Sequence, residues 1–241
     1  MDNRFKEKIT DLLKEIDVQI NDDEINKFYK YMSLLLEWNE KINLTAITEQ
    51  DEIILKHFVD CITSMKYLNE KESVIDVGTG AGFPGIPLAI MKTQNNFTLV
   101  DSLNKRINFL NDVKEKINLK NVQTIHARAE DFGQDKKYRE NFDVAVSRAV
   151  ANLSTLSEYL IPLVKVGGKV ICMKGSSIEE EVKDAEYAIK ELGGRITSIE
   201  KFNLPGTDMG RNIIIIEKVK QTPSKYPRKA GMPAKQPLKN N

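Results

Sequence analysis

One glycine-rich stretch, SVIDVGTGAGFPGIPLAI at residues 73–90, constrains the fold of this chain more than any other. Its first residues form a short apolar, β-branched run, which is typical of a strand buried on both faces of a parallel sheet. Gly78, Gly80 and Gly82 follow at every second position, and glycine permits positive φ and close approach of a ligand to the backbone. Pro87 suits the first turn of a following helix, where its missing N–H costs nothing. The stretch therefore predicts a strand, a glycine loop and a helix, with a ligand at the carboxyl end of the strand.

From this stretch onward, apolar runs alternate with amphipathic segments. Further strands are predicted at residues 97–101, 122–126, 142–147 and 169–173, with helices at 105–118, 152–164 and about 178–192 and a turn at 165–168. The alternation then stops, because two strands, 195–204 and 211–219, are separated only by a short Pro-Gly loop. This order predicts an α/β fold whose mostly parallel sheet has one antiparallel strand near its edge.

The first 68 residues predict a helical cap on that sheet. Apolar residues repeat at helical spacing from Phe5 to Ile16 and again from Ile25 to Leu36. Asn21 and Glu24 resemble the capping pair of the second helix, and one or two more helices are predicted over residues 51–68. The predicted organisation is a cap at residues 1–68, a sheet domain at 69–219 and a tail at 220–241, in one globular unit.

The tail differs from the rest of the chain in charge and in proline content. Residues 218–241 hold seven of the 36 Lys and Arg residues and none of the 35 Asp and Glu residues. The preceding 217 residues therefore carry six more acidic than basic side chains. Four of the eight prolines also lie in the tail, which predicts an extended and partly mobile segment without regular structure. Its charge is consistent with a polyanionic partner or with simple solvation.

The remaining composition excludes several classes of protein. Two cysteines and two histidines form neither a disulfide framework nor a zinc cluster with known spacing, so no metal is expected. No apolar stretch reaches the roughly 20 residues of a membrane span, and the first ten residues lack the apolar core of a signal peptide. These features predict a cytoplasmic protein.

Residues around the glycine loop indicate which cofactor the loop would bind. Residues 80–85, GAGFPG, match the G-x-G-x-x-G fingerprint, and Asp101 ends the second predicted strand, where it would bind a ribose. Both features suit either a nicotinamide cofactor or S-adenosylmethionine. Asp76 precedes the glycines, where a carboxylate can hold the ammonium group that only S-adenosylmethionine has, and residues 129–131 offer carboxylates to an adenine amino group. Together with the terminal hairpin, they favour a class I (Rossmann-like) S-adenosylmethionine-dependent methyltransferase sheet with an N-terminal helical cap.

Several motifs together resemble one family closely and in its order along nearly the whole chain. They are Trp38-Asn39, Lys41-Ile42-Asn43-Leu44-Thr45, DVGTGAGFPGIPLAI, VDSLNKR, RAED, SRAVA, MKG and the tail YPRKAGMPAKQPL. The family is the bacterial small-subunit rRNA guanine-N7 methyltransferases, first named glucose-inhibited division protein B. The resemblance implies transfer of a methyl group from S-adenosylmethionine to N7 of a guanine in the decoding region of 16S rRNA. It also implies rRNA or the small ribosomal subunit as partner; we further expect a monomer without membrane contact.

The residues and the resemblance give similar cofactor assignments. Glycines 78, 80 and 82 would pass close to the methionine part, and Asp76 would face its amino group or an intervening water. Phe83 would either cover the ligand or pack into the domain. The ribose and adenine are assigned to the side chains after the second and third strands: Asp101, Ser102, Leu103, Ala129 and Glu130. For Asp101 and Glu130 a helix cap or an exposed carboxylate remains the alternative.

The acceptor side is assigned to the ends of the fourth and fifth strands. Guanine N7 has a free lone pair and no proton to lose, so the reaction needs alignment more than a general base. Arg148 would contact the cofactor, O6 or a phosphate, because the usual pairing of arginine with N7 and O6 would block the attacked atom. Its alternative is a structural ion pair, and Lys174 is a second acceptor-side candidate. Amino-methylating relatives usually carry Asp/Asn-Pro-Pro-aromatic where this chain has SRAV at residues 147–150, which argues against an exocyclic amine.

RNA binding is assigned to basic residues near the predicted cofactor mouth and in the tail, because phosphate contacts supply most of the affinity for a nucleic acid. These residues are Lys105, Arg106, Arg128, Lys225, Arg228 and Lys229. Tyr226 would stack on a base. For Lys105 and Arg106 a solvated helix start is an equally open interpretation.

Three other functions remain open from the residues alone. The chain could methylate a small molecule or a protein, which its basic tail disfavours. It could be a non-catalytic RNA-binding module, which the intact glycine loop disfavours. A nicotinamide-dependent dehydrogenase is the third.

Overall fold

The computed structural model of the chain describes residues 2–148 and 150–239. Among these residues, seven strands form one sheet in the order β3-β2-β1-β4-β5-β7-β6. The strands are β1 Ser73–Val77, β2 Asn96–Asp101, β3 Val122–His126, β4 Phe142–Arg148, β5 Val164–Lys174, β6 Gly194–Asn203 and β7 Gly210–Lys218. Neighbouring strands are parallel except that β7 runs antiparallel to both β5 and β6. The predicted α/β sheet with a terminal hairpin is confirmed.

The helices alternate with the strands after an all-helical start. They are α1 Asn3–Lys14, α2 Asp22–Asn39, α3 Gln50–Ile53, α4 Asp60–Ile62, α5 Gly85–Met91, α6 Asn104–Lys116, α7 Ala129–Gln134, α8 Leu153–Leu160, α9 Glu179–Glu191 and α10 Met232–Lys235. A π-helical turn, Ile54–Val59, joins α3 to α4. The predicted capping pair is confirmed, because the Asn21 side chain accepts from the amides of Asp23 and Glu24 while the Glu24 carboxylate accepts from the Asn21 amide. In the described part of the chain no helix is long and apolar enough to cross a membrane.

The sheet separates two hydrophobic clusters, because successive side chains of a strand point to opposite faces. Val74 of β1 belongs to a cluster that includes Phe5 and Leu35 of the cap. Ile75 and Val77, whose side chains point to the other face of the strand, belong to a second cluster formed with α8 and α9. The helical cap therefore shares its core with one face of the sheet.

The fifth strand is longer than predicted. The predicted turn at residues 165–168 is an irregularity within β5, where the register with β4 changes between Phe142 and Val144. Gly167 has φ +89° at this point, a conformation that glycine adopts without strain. The prediction of a separate turn was wrong because the chain resumes pairing with β4 on both sides of the bulge.

The tail also differs from its prediction. It packs against the second cluster through Tyr226, which is only 6% exposed, and contains the short helix α10. Gly231 precedes α10 at φ +81°, and Pro233 lies in its first turn, where its fixed φ suits a helix. The prediction of an extended tail without regular structure was therefore wrong.

Candidate active site

The glycine loop runs along two adjoining cavities at the carboxyl ends of the central strands. The larger has a volume of about 750 Å³ and the smaller about 360 Å³, and both are lined by Gly78, Asp101, Ser102 and Val150. Gly78 and Gly80 have φ +71° and +62°. A Cβ added to Gly80 would have only the Gly78 carbonyl oxygen near it, at 3.9 Å. At Gly80 the backbone is therefore bare beside open space, as a bound ligand requires.

The other two glycines of the loop serve packing. A Cβ at Gly82 would lie 2.6 Å from Ile86 Cγ1 and 2.9 Å from the Tyr31 hydroxyl, and one at Gly85 would lie 2.2 Å from Leu99 Cδ2. Neither glycine lines either cavity. The structure thus places Gly82, which sequence analysis assigned to the cofactor, against the helical cap.

Asp76 is buried beneath the loop and holds its shape. Its Oδ2 accepts hydrogen bonds from the Thr79 hydroxyl at 2.7 Å and from the Gly85 amide at 2.9 Å. Oδ1 is buried without a partner among the described residues. Burial raises the pKa of this carboxyl to about 7. Asp76 lies outside the lining of both cavities, so its unpaired Oδ1 is the only feature left that points to a ligand.

Asp101 lies at the boundary between the cavities. Its carboxylate accepts from the amides of Gly80 and Leu103, both at 2.9 Å, and from Arg106 Nη1 at 3.3 Å. These bonds fix the glycine loop to the start of α6. Ser102 lines both cavities, whereas Leu103 is 42% exposed and lines neither.

The smaller cavity is bounded by residues after β2 and β3 and by the tail. Ala129 and Glu130, both predicted to frame an adenine, line it together with Tyr159 and Gly231. The Glu130 carboxylate accepts a hydrogen bond from the Gly231 amide at 2.8 Å. One of its oxygens is thus engaged by the tail, which sequence analysis did not anticipate.

In the larger cavity Arg148 is the centre of a polar cluster. Its Nη1 donates to the Lys56 carbonyl oxygen at 2.8 Å and to Asp60 Oδ2 at 3.0 Å, and its Nη2 lies 3.0 Å from His57 Nδ1. The guanidinium also lies over the Phe83 ring, 4.9 Å from its centroid. Arg148 therefore makes the structural ion pair that was raised as its alternative, and it also lines the larger cavity.

His57 lies between this arginine and the loop connecting α2 to α3. An arginine can only donate, so His57 Nδ1 accepts from Arg148, and Nε2 then carries the proton that bonds Thr45 Oγ1 at 2.8 Å. The ring stacks on Phe83 with centroids 4.4 Å apart. Burial, reinforced by the charge of Arg148, lowers the pKa of His57 to about 3. The imidazole is therefore neutral at physiological pH.

The sequence did not predict a role in this site for His57, Asp60 or Arg211. Arg211 on β7 bonds Asp60 Oδ1 at 3.2 Å, so one carboxylate joins two arginines from different strands. A signal was present, because His57 and Asp60 interrupt the apolar segment at residues 53–62, most of which is fully buried. Polar side chains in such a segment need partners, and here those partners are the arginines.

Lys174 lines the larger cavity, but its ammonium group is bonded to the segment that follows β4. Its Nζ donates to the Ala151 carbonyl oxygen and to Glu181 Oε1, both at 2.6 Å. Glu181 also accepts from the Leu153 amide, which fixes the start of α8. Ala149, within the SRAVA motif of this segment, lies outside the described residues.

Comparison with known proteins supplies the family. The family model described as rRNA small subunit methyltransferase G matches residues 24–212. The chain belongs to this family. The relatives named ribosomal RNA small subunit methyltransferase G from Clostridium perfringens strain 13 and Alkaliphilus oremlandii are 54% and 53% identical over 235 and 239 residues. These alignments cover 95% and 96% of this chain and 98% and 100% of the relatives. The family resemblance predicted from the motifs is confirmed, and the chain is a methyltransferase.

Solved structures confirm the fold of this methyltransferase. A SAM-dependent methyltransferase from Aquifex aeolicus superposes with TM-score 0.52 at 17% identity, covering 67% of this chain and 91% of that one. A TYW2 protein of M. jannaschii, solved in complex with AdoMet, gives TM-score 0.51 at 17% identity, covering 66% and 77% of the two chains. The class I methyltransferase sheet predicted from the terminal hairpin is therefore confirmed.

The basic residues predicted to bind RNA fall into two groups in this methyltransferase. Exposed side chains for which the structure gives no ion pair are Lys105, Arg128 and Lys229, whereas Arg106 bonds Asp101. Lys225 pairs with Glu191 at 3.1 Å, and Arg228 pairs with the fully buried Glu158 at 2.7 Å. The predicted stacking of Tyr226 on a base was wrong, because its ring is buried against the sheet domain.

Proposed function

We propose that this chain transfers a methyl group from S-adenosylmethionine to N7 of one guanine in the decoding region of 16S rRNA. The observation that carries the proposal is the pair of adjoining cavities that share Gly78 and Asp101. One cavity suits a cofactor, and the other is large enough for a nucleotide base. Family membership supports an rRNA substrate.

The residues of the smaller cavity and the loop fit S-adenosylmethionine. Gly80 exposes bare backbone for the methionine part, Gly78 lines both cavities beside the Val150 side chain, and Asp101 offers a carboxylate to the ribose hydroxyls. Ala129 and Glu130 line the smaller cavity, where the adenine would bind. The unpaired Asp76 Oδ1 remains as the acceptor for the amino group or for a water between them. Leu103 and Gly82 are left out of the proposed cofactor site.

When bound, the cofactor supplies an electrophilic sulfonium methyl group. In the transfer, a bond forms between guanine N7 and the methyl carbon while the carbon–sulfur bond breaks, which leaves S-adenosylhomocysteine. N7 loses no proton, so the step needs neither a general base nor a metal. The chain contributes alignment of the reactants, which can lower a barrier by roughly 7–11 kcal/mol.

Arg148 is the residue that we propose orients the acceptor. Three of its five N–H groups are used by Lys56, Asp60 and His57, and the other two have no partner among the residues that the structure describes. Those two N–H groups can donate to guanine O6 or to a phosphate without covering N7. Because Asp60 binds the guanidinium and is itself held by Arg211, the guanidinium is positioned before the base arrives.

The RNA interface is proposed around the mouth of the two cavities. Arg128 stays in the proposal because it is exposed and lines the smaller cavity, Lys105 because it is exposed next to Arg106, and Lys229 because it is exposed near Gly231. Arg106, Lys225, Arg228 and Lys174 are already bonded to carboxylates, so their role is in positioning elements. Both cavities are built from one chain, which supports action as a monomer. A ribosomal substrate supports a cytoplasmic location.

The test uses small ribosomal subunits from cells that lack this protein. They are incubated with the chain and methyl-labelled S-adenosylmethionine, and the digested rRNA is analysed by mass spectrometry. A single new 7-methylguanosine is the expected product. Label in another nucleoside, or in protein alone, would overturn the proposed acceptor.

A further inference from the structure

The tail, residues 220–239, is bonded to the sheet domain from its first residues onward. The fully buried Lys218 at the end of β7 donates to the Ile161 carbonyl oxygen and to the Thr222 hydroxyl, both at 2.7 Å. Arg139 then donates to the carbonyl oxygens of Thr222, Pro223 and Tyr226 at 2.8, 3.2 and 2.6 Å. A side chain that binds three carbonyl groups within five residues fixes the path of the backbone rather than only its position.

Further along the chain, an ion pair joins the tail to α8. Arg228 binds the carboxylate of Glu158 with Nε at 3.0 Å and with Nη2 at 2.7 Å, and its own amide donates to the same carboxylate at 2.7 Å. Glu158 is 0% exposed. This geometry satisfies both oxygens of a buried charge, as a buried pair needs if it is to be stable.

This anchoring brings Gly231 to the smaller cavity. Gly231 lines the cavity together with Ala127 and Ala129, and its amide donates to Glu130 Oε1 at 2.8 Å. Its φ is +81°, and an added Cβ would meet no atom within 4 Å. Beyond Gly231, the Pro233 carbonyl oxygen accepts from Thr155 Oγ1 at 3.1 Å. The turn is thus held on both sides while its own surface faces open space.

We propose that the turn at Gly231 is one wall of the adenine site, and that docking of the tail sets the affinity of the chain for S-adenosylmethionine. The proposal rests on the proposed function, because it takes the smaller cavity as the adenine site. The family model covers residues 24–212, so this wall lies outside the residues that the model matches, although it belongs to a tail motif that resembles the family. A site with one wall on the tail loses buried contact with the adenine whenever that wall is displaced.

Calorimetric titration of the full-length chain with S-adenosylhomocysteine tests the proposal without RNA. The variant is Gly231→Val, since a β-branched residue is strained at φ +81° and its side chain would occupy open space next to the cavity. Gly167→Val is the matched control: Gly167 has φ +89° and open space around it, but it lies in the β5 bulge, at the opposite end of the strand from Lys174. We expect Kd to rise at least tenfold in Gly231→Val and to stay within twofold in Gly167→Val.

Hydrogen exchange of the unmodified chain gives a second measurement that does not depend on a variant that folds. Bound S-adenosylhomocysteine is expected to slow amide exchange in peptides covering residues 226–235. Equal Kd values for the wild type and Gly231→Val, or unchanged exchange in those peptides, would overturn the role of the tail alone. A wild-type chain that shows no binding would overturn the cofactor assignment together with it.

Discussion

Gly80 is the residue of the glycine loop whose backbone points most clearly to a bound ligand. Its φ of +62° and the open space at its Cβ position mean that aspartate can replace it without striking protein atoms, and aspartate tolerates this backbone region better than most residues. We expect Gly80→Asp to abolish methylation and to weaken cofactor binding at least 100-fold, because a charged side chain would fill the methionine site near Asp101. Calorimetry with S-adenosylhomocysteine measures the affinity, and thermal unfolding checks that the fold is retained.

Gly82→Ala is the matched control for that experiment. A Cβ at Gly82 would lie 2.6 Å from Ile86 Cγ1, so the expected cost is overpacking, typically about 1–3 kcal/mol of stability, together with the strain of alanine at φ +98°. Cofactor affinity of the folded fraction should stay close to that of the wild type. Wild-type affinity in Gly80→Asp would place the methionine part elsewhere.

These two glycines also show what the residue pattern could not reveal. Both belong to the same G-x-G-x-x-G match, and sequence gives them the same weight. Only the neighbours of each Cβ position separate them: open space for Gly80, and Ile86 with Tyr31 for Gly82. Tyr31 comes from the helical cap, more than 50 positions earlier in the chain, so no local pattern could have shown this contact. His57 and Asp60 were missed for a similar reason, because their arginine partners lie on β4 and β7.

At the scale of elements, the tail is a structural segment whose basic residues differ in their roles. We expect Arg228→Ala to lower the free energy of unfolding by about 3–5 kcal/mol, because it leaves the buried Glu158 carboxylate without its cation. Lys225→Ala removes an exposed, solvent-screened pair with Glu191 and should change the free energy of unfolding much less than Arg228→Ala does. Urea unfolding of the two variants measures the difference. Similar small effects in both would mean that the tail is not docked through Arg228.

The elements that sequence predicted well are those whose signal is local. The alternation of strands and helices and the terminal hairpin follow from runs of 5–15 residues, and the structure has them in the predicted order. The tail was predicted poorly because composition describes it as basic and proline-rich, whereas its structure depends on Glu158, Arg139 and Glu130 of other elements. The four prolines supply no backbone donor, and the carbonyl oxygens of three of them, Pro223, Pro227 and Pro233, accept hydrogen bonds from side chains of the sheet domain.

At the scale of the whole molecule, the cap and the tail lie on opposite faces of the sheet, and each completes one cavity. The cap packs in the cluster that contains Val74 and contributes Thr45, His57 and Asp60 to the larger cavity. The tail packs in the cluster that contains Ile75 and contributes Gly231 to the smaller one. The helical cap thus completes the proposed acceptor site and the tail completes the proposed cofactor site, and both segments are additions to the methyltransferase sheet.

Two buried groups give the stability of this molecule opposing dependences on pH. The Asp76 pKa of about 7 lies above its ordinary value of 3.8, so the folded chain holds a proton there that the unfolded chain releases, and stability falls as pH rises from about 4 to 7. The His57 pKa of about 3 lies below its ordinary value of 6.5, so the unfolded chain binds a proton that the folded chain excludes. Its contribution therefore rises with pH up to about 6.5.

Between about pH 4.5 and 6.5 these two contributions have opposite slopes of roughly 1.4 kcal/mol per pH unit and should cancel. Asp76→Asn keeps an acceptor for Thr79 and Gly85 but does not titrate, so its free energy of unfolding should rise with pH relative to the wild type. His57→Gln keeps an acceptor for Arg148 and should show the opposite trend. Urea unfolding at pH 4.5, 5.5 and 6.5 measures both slopes, with all other carboxylates common to the three proteins. Parallel curves for the wild type and both variants would mean that neither buried group titrates differently in the folded and unfolded chains.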